Sequence, residues 1–572
     1  MELKNKYKVV KDNKRIIGGA IGNCVHVGGV FDYLKLSEYS GYEIKFLGAS
    51  VSVQDFITSI KEFAPSIVCI SYRLTASSLE SILKEFFFNM ENENLLVDKI
   101  FYFGGTPECI EVAKKYSYFD YFFQGEEELS VINETLFLNY GINNNDFIVH
   151  ERILFSEQTK EKSFDEIRDI FKGGNYQPMI RHHFGLPSLK ETRDGIKKIA
   201  ESKLVDIISI ATDQNAQEYF FDQENMDPRL DGAGGVPVRS KDDLFQLYDA
   251  SQCGNYPRLR TYSGTKNLLQ WAEISVETLQ NAWGTIPLFW YSKLDGRSKR
   301  PLVQSIKENM EVIKWYADRD IPVEINDPHH WSLRDGSDVT AVVDAYLIAY
   351  NAKKLGVKKY VAQFMFNTPR QTSGTMDLAK MMAKAELISE LEDENFIVLK
   401  QVRAGLTHFS IDLDVAKGQL AASTILQMVL KPQIVHVVSY SEASHAATPE
   451  NVIESCKIVK GVMKNTLIDF PNLALDPRVI ERKEYLKREA KKAFNIISNI
   501  YGDEKEDPLS NPKILADIVQ KGILDAPHLQ GNSEALGKVK TMCINGGFDI
   551  IDSDGKQIDY SRYISGLLEY EK

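Results

Sequence analysis

Short apolar runs alternate with amphipathic stretches along most of this chain. Between residues 15 and 140, Ile16–Ala20, Glu43–Gly48, Ile67–Ile70 and Ile100–Phe103 read as strands, the last two belonging to strand-helix units that end near Tyr121-Phe122-Phe123. Val30–Ser40 and Val53–Phe63 read as helices, the second closed by Pro65. Parallel strands joined by helices need about this spacing, and their crossovers are right-handed. Residues 1–140 are therefore expected to form an α/β domain.

Residues 141–175 break the rhythm with Asn143-Asn144-Asn145-Asp146 and Gly173-Gly174-Asn175, and read as a linker. Eight short runs follow: Gln177–Arg181, Val205–Thr212, Arg258–Tyr262, Thr285–Tyr291, Pro322–Asn326, Tyr360–Phe366, Ile397–Arg403 and Ile434–Tyr440. Eight strand-helix units over 176–477 predict a (β/α)8 TIM barrel serving as the substrate domain. An open doubly wound sheet is the alternative. Residues 478–572 start with a charged helical stretch, Val479–Ile500, and read as a C-terminal helical cap region.

Composition narrows this picture only a little. A chain of 572 residues is too long for one core. Its 43% hydrophobic and 26% charged content is that of a soluble globular protein. The net charge of −12, with no basic stripe, argues against a nucleic-acid partner. The polar start Met1-Glu2-Leu3-Lys4 predicts no signal peptide, and no apolar run approaches a membrane span. The six cysteines are scattered without a CxxC pair, which fits a reducing cytoplasm and disfavours a disulfide framework or thiolate zinc site.

The barrel's strand ends carry the first candidate chemistry, because barrel enzymes gather their reactive groups there. These ends hold Arg181-His182-His183, Asp213, Arg260 with Tyr262, Trp290-Tyr291, Asn326 with His329-His330, Gln363, Arg403, and Tyr440 with Glu442 and His445. A ring of this kind predicts a polar, negatively charged ligand. A guanidinium fork matches a carboxylate with two bonds, so Arg181, Arg260 and Arg403 are expected to clamp a small carboxylate. His182, His183, His330, Tyr262 and Glu442 are candidates for moving protons or bonding the substrate. Structural pairing of the arginines with Asp213 or Asp327 is the plainer alternative. Glu442 and His445 have helical i, i+3 spacing but precede the helix start at Thr448-Pro449, so hydrogen bonding is preferred to metal ligation. Gly232-Ala233-Gly234-Gly235 is followed by Val236-Pro237 rather than Lys-Ser/Thr, and reads as a turn.

The second candidate lies at the strand ends of the N-terminal domain. The first ends in Gly22-Asn23-Cys24-Val25-His26-Val27-Gly28-Gly29, the next in Ser71-Tyr72-Arg73-Leu74-Thr75, and the next in Gly104-Gly105. A doubly wound sheet binds ligands at these ends. The order His-x-x-Gly, Ser-x-x-Leu-Thr, Gly-Gly resembles the cobalamin-binding domain of the mutases and methionine synthases. The resemblance implies a flavodoxin-like (Rossmann-like) domain in which His26 ligates cobalt. It also implies that Val27, Gly28, Gly29, Ser71, Leu74, Thr75, Gly104 and Gly105 line the cleft for the displaced nucleotide tail. One position departs from the family. Two residues before the histidine an Asp usually orients the imidazole; here it is Cys24, and a thiol is a weak substitute for a second-shell carboxylate.

The barrel layout, its polar strand ends and the tail Gly522-Ile523-Leu524-Asp525-Ala526-Pro527 with Lys538-Val539-Lys540-Thr541 resemble the catalytic chain of glutamate mutase (methylaspartate mutase). Together the two resemblances imply an adenosylcobalamin-dependent radical isomerase acting on a small carboxylate or amino acid, with a homodimer as the default assembly. A corrinoid-dependent methyltransferase and a non-enzymatic cobalamin-binding protein are the alternatives. About 15 residues before the first strand leave no room for a helical cap over a methyl group, which favours the radical class.

Overall fold

The computed structural model describes residues 13–125, 127, 132, 135, 177–502 and 507–569; the expected linker lies outside them. The chain divides into two compact units, Met1–Phe155 and Ser156–Lys572.

The first unit is a five-stranded parallel sheet of β1 (Arg15–Ala20), β2 (Glu43–Phe46), β3 (Ile67–Tyr72), β4 (Ile100–Gly105) and β5 (Phe119–Phe123), in the order β2-β1-β3-β4-β5. Alternation along the strands builds two cores. Ile17, Val68, Ile70, Phe101 and Phe103 pack on the helices Val53–Phe63, Ala76–Asn92 and Pro107–Ala113. Ile16, Ile67, Cys69, Ile100 and Tyr102 pack on the helix Gly28–Tyr39. A parallel sheet covered on both faces reads as continuous apolar sequence, which is why these runs show little polar alternation. The crossover from β1 to β3 places the topological switch point between those strands.

The second unit is built on eight parallel strands: β6 (Met179–Phe184), β7 (Ile207–Ile210), β8 (Arg258–Thr261), β9 (Gly284–Thr285), β10 (Val323–Ile325), β11 (Lys359–Phe366), β12 (Ile397–Ala404) and β13 (Ile434–Val437). Their order β8-β7-β6-β13-β12-β11-β10-β9 is a barrel closed everywhere but between β8 and β9. At that seam the Ala282 amide still bonds the Leu259 carbonyl at 2.8 Å.

The fourth strand is much shorter than its apolar run, Thr285–Tyr291, predicts. Pro287 has no N–H for a ladder, and the next amides, Leu288 and Phe289, donate instead to Asp327 Oδ2 at 2.8 and 2.7 Å. The segment is buried yet leaves the sheet, because a side chain satisfies its backbone.

The C-terminal residues share the barrel's outer core rather than forming one of their own. Val479, Leu486, Ala490 and Ile497 of the helix Pro477–Tyr501 belong to it. Arg482 on that helix bonds both Asp338 and Asp549. In the tail, Asp525 accepts from the amides of Gly537, Lys538 and Val539, joining the two tail segments. No helix among the described residues is long and apolar enough to cross a membrane.

Candidate functional sites

Inside the barrel the side chains fall in layers, as a period of two along each strand requires. Met179, Ile207, Trp283, Val361, Leu399 and Ile434 form an apolar cluster. Two residues further along, toward the strand C-termini, come Arg181, Ser209, Gln363, Gln401 and His436. The polar layer is a connected network. Arg181 Nε donates to Ser209 Oγ at 2.7 Å, and Nη1 donates to Gln401 Oε1 at 2.6 Å and to Glu324 Oε2 at 3.2 Å. Since β6 and β10 lie across the ring from each other, the Arg181–Glu324 pair spans the interior. Trp283 Nε1 donates to the same Glu324 oxygen at 2.7 Å.

Arg260 joins this network less completely. Its Nη1 donates to Ser209 Oγ at 3.3 Å and its Nη2 lies 3.9 Å from Glu324. The guanidinium stands over the Tyr262 ring at 4.5 Å and near Trp283 at 5.6 Å. Nε and Nη2 are buried without a hydrogen-bond acceptor. Burial, with Arg181 next, pushes its pKa down to about 10 against the pull of Glu324. Arg403 is 6% exposed, and its one bond among the described residues runs from Nε to the Ala404 carbonyl. Glu442 is exposed but lies within the field of Arg403.

Burial alone would raise the Glu324 carboxyl; Arg181 and Arg260 outweigh it and hold the pKa below the usual range. One buried carboxylate thus faces three buried guanidiniums. An uncompensated buried charge is costly, so this interior is short of anions.

The histidines here are neutral. Arg181 Nη2, which can only donate, bonds His183 Nε2 at 3.0 Å, and Tyr262 Oη lies 2.8 Å from the same nitrogen. Burial and then Arg181 depress His183 well below its ordinary pKa. His182 points elsewhere: its Nδ1 donates to the His183 carbonyl at 2.5 Å, and burial lowers its pKa to about 4. His330 packs against Trp290 with Nε2 buried and unpartnered, and burial depresses it too.

The structure therefore joins Arg181, Arg260, Tyr262 and His183 by direct contact, sets Arg403 and Glu442 beside them, and keeps His182 and His330 outside the hydrogen-bonded network. Asp213 and Asp327 pair with neither Arg181 nor Arg260. Asp213 binds Arg239, and Asp327 caps the Leu288 and Phe289 amides. Glu324, Ser209, Trp283 and Gln401 escape a reading centred on strand ends. The signal for Glu324 is a lone acid inside an apolar run, two residues before Asn326.

In the N-terminal unit the candidate residues converge at the switch point. Register sets Ser71 beside Ala20 and Gly104, and Tyr72 beside Gly105. Ser71 Oγ donates to the His26 carbonyl at 2.9 Å, fastening the loop after β1 to β3. The His26 ring is exposed, and its Nε2 bonds no described residue. Around it the surface is bare backbone: a Cβ added at Gly28, Gly29 or Gly104 would meet nothing within 4 Å. Gly105 differs, since its Cβ would lie 2.6 Å from the Tyr72 carbonyl oxygen. Leu74 and Thr75 are exposed beyond β3, and Val27 is half-buried at the start of its helix. An exposed imidazole and open glycine backbone leave room for a ligand to approach both. Among the described residues no three His, Cys, Asp or Glu form a metal-holding group.

No family model and no curated protein matches the chain. The solved structures that overlap it include these two. A cobalamin-binding protein from Desulfitobacterium hafniense DCB-2 is 25% identical over 19% of this chain, with a TM-score of 0.17. The chain spans about half of that protein, 52%. The apo form of OxsB, a cobalamin-dependent S-adenosylmethionine radical enzyme, is 9% identical over 90% of this chain and 73% of its own, also at a TM-score of 0.17. Overlaps this loose say nothing about what this chain binds.

Proposed function

We propose that the N-terminal unit binds a corrinoid through a flavodoxin-like fold and that the barrel holds a small carboxylate. On this reading the chain is an adenosylcobalamin-dependent radical isomerase of the glutamate mutase type. The observation that carries it is His26 standing exposed, with Nε2 free of described partners, among glycines whose backbone is open to a ligand. The sheet order is the one in which flavodoxin-like folds bind ligand between β1 and β3. His26 would hold cobalt; Val27, Gly28, Gly29, Ser71, Leu74, Thr75, Gly104 and Gly105 would line the tail cleft. Adenosylcobalamin, when bound, supplies a carbon radical by homolysis of its cobalt–carbon bond.

The remaining work belongs to the barrel. Every nitrogen of the Arg181 guanidinium already has a partner, so this residue serves as scaffold rather than clamp. Arg260, with two donors unused, and Arg403, bonded only through Nε, would take the carboxylate. Clamps of this kind keep a reactive species in one orientation. Tyr262 and neutral His183 would bond the migrating group, and Glu442 would exchange protons with solvent. His182 and His330 would act by closing the pocket to water.

The test is anaerobic incubation of the full chain with adenosylcobalamin and a panel of small carboxylates and amino acids. Electron paramagnetic resonance should show a substrate-dependent cob(II)alamin–radical signal, lost in Arg403→Ala. Consumption of methylcobalamin instead, with no radical, would point to a methyltransferase.

A further inference from the structure

The side chain facing the second nitrogen of His26 is a thiol. Cys24 Sγ lies 3.6 Å from His26 Nδ1 and also accepts the Arg73 amide at 3.3 Å. Cys24 is fully buried, and its own backbone is pinned by the Ile21 carbonyl and the Ser50 amide. The sulfur cannot swing away, and it has no other bonding partner among the described residues.

A thiol and a carboxylate act oppositely here. An ionised carboxylate only accepts, so it obliges Nδ1 to carry the proton and leaves Nε2 with a lone pair for a metal. A thiol has a proton to give. With the Arg73 N–H already directed at the sulfur, the S–H proton has Nδ1 as its one acceptor. We propose that Cys24 is a positioning residue that holds resting His26 as the Nε2–H tautomer, making this histidine a conditional rather than a constant cobalt ligand. The proposal rests on the corrinoid reading for its meaning but not for its tautomer. To ligate, His26 must move its proton to Nδ1, and Cys24 must turn from donor to acceptor at the same contact. No net charge need change. The same geometry keeps the imidazole in place, because Ser71 holds its backbone whichever nitrogen is protonated.

Two measurements separate the tautomer from the cofactor. Nitrogen-15 NMR of the full, histidine-labelled, ligand-free chain, with His26 assigned by difference against His26→Gln, reads the protonated nitrogen directly. The wild type and Cys24→Ser, whose hydroxyl also donates, should show Nε2–H; Cys24→Asp should show Nδ1–H. Cob(II)alamin is then added and the nitrogen superhyperfine splitting is followed. Cys24→Asp should raise the ratio of histidine-bound to histidine-free cobalt by roughly tenfold, the low end for a second-shell partner. Nδ1–H in the wild-type protein would overturn the proposal, and so would a histidine splitting that is present and equal in wild type and Cys24→Asp. Should Cys24→Asp not fold, the wild-type and Cys24→Ser spectra still decide the tautomer. The expected tautomers with no splitting in any variant would uphold the role of Cys24 and remove the corrinoid reading instead.

Discussion

The two candidate sites are made from opposite materials. The N-terminal one is a patch of backbone: three glycines with nothing above them, an exposed imidazole and a serine spent on fastening a loop. The barrel site is a set of long charged side chains at or near zero exposure, tied to one another across the ring. The first leaves room and costs the fold little. The second concentrates unpaired charge and makes stability depend on its few compensating contacts. A broad ligand needs a surface that approaches it closely, whereas a small anion needs donors that water cannot reach.

This contrast gives a ranked set of expectations. All five tryptophans lie between residues 271 and 331, so tryptophan fluorescence reports the barrel unit by itself. Glu324→Ala should have the largest effect, lowering that unit's unfolding free energy by about 3–5 kcal/mol, since Arg181 and Arg260 lose their shared carboxylate. Added small carboxylates should restore part of the loss; an unchanged denaturation midpoint would mean that the network is not under charge stress.

Acid should distinguish the units next. Burial keeps His182, His183, His330 and His436 neutral in the fold, while the unfolded chain protonates them near the ordinary histidine value of about 6.5. The unfolded state then binds more protons, so stability falls as pH drops from 6.5 toward 4. His182 alone, with its pKa lowered to about 4, contributes roughly 3 kcal/mol to that fall. His26 is the one histidine among the described residues of the first unit, and it is exposed. The tryptophan-reported transition should therefore move to lower denaturant on acidification, and a transition flat from pH 7 to 4.5 would contradict the burial of these rings.

The neighbouring glycines of β4 provide a finer division. Gly105→Ala should destabilise the first unit by about 1–3 kcal/mol through its clash with the Tyr72 carbonyl, while Gly104→Ala should stay within about 0.5 kcal/mol. Binding should reverse the ranking. Gly104→Val, with its side chain in the open cradle, should abolish retention of hydroxocobalamin on gel filtration. The smallest structural effect is expected for Arg403→Ala, at about 1 kcal/mol or less by denaturation, although it should weaken carboxylate binding by about a hundredfold.

The sequence is most readable where one physical requirement dominates. A parallel strand covered on both faces must be apolar throughout, so the runs at Ile67, Ile100, Tyr360 and Ile397 are visible directly. Turn chemistry and ligand contact both act at strand ends, so Arg181, Arg260 and Arg403 stand out. Glu324 does not, because an acid in mid-strand is legible only once its partners across the ring are known. The roles of the three arginines also differ in a way that strand position cannot show: Arg181 is fully bonded, Arg260 partly, Arg403 scarcely. The fourth strand misleads for a related reason. Its run is as apolar as the others, and Pro287 is the one residue that announces the departure.

That departure fixes where the ring gives way. Seven junctions of the barrel are ladders, and the eighth is bridged by the bond from Ala282 to Leu259, followed by a stretch that hangs on the carboxylate of Asp327. Ladders release their amides together, but a single bridging bond and a side-chain anchor release theirs alone. In the language of hydrogen exchange, the Leu288 and Phe289 amides should exchange faster than those of β11 and β12, the longest pair. The ring is thus a horseshoe drawn nearly shut, with a built-in line along which it can be sprung.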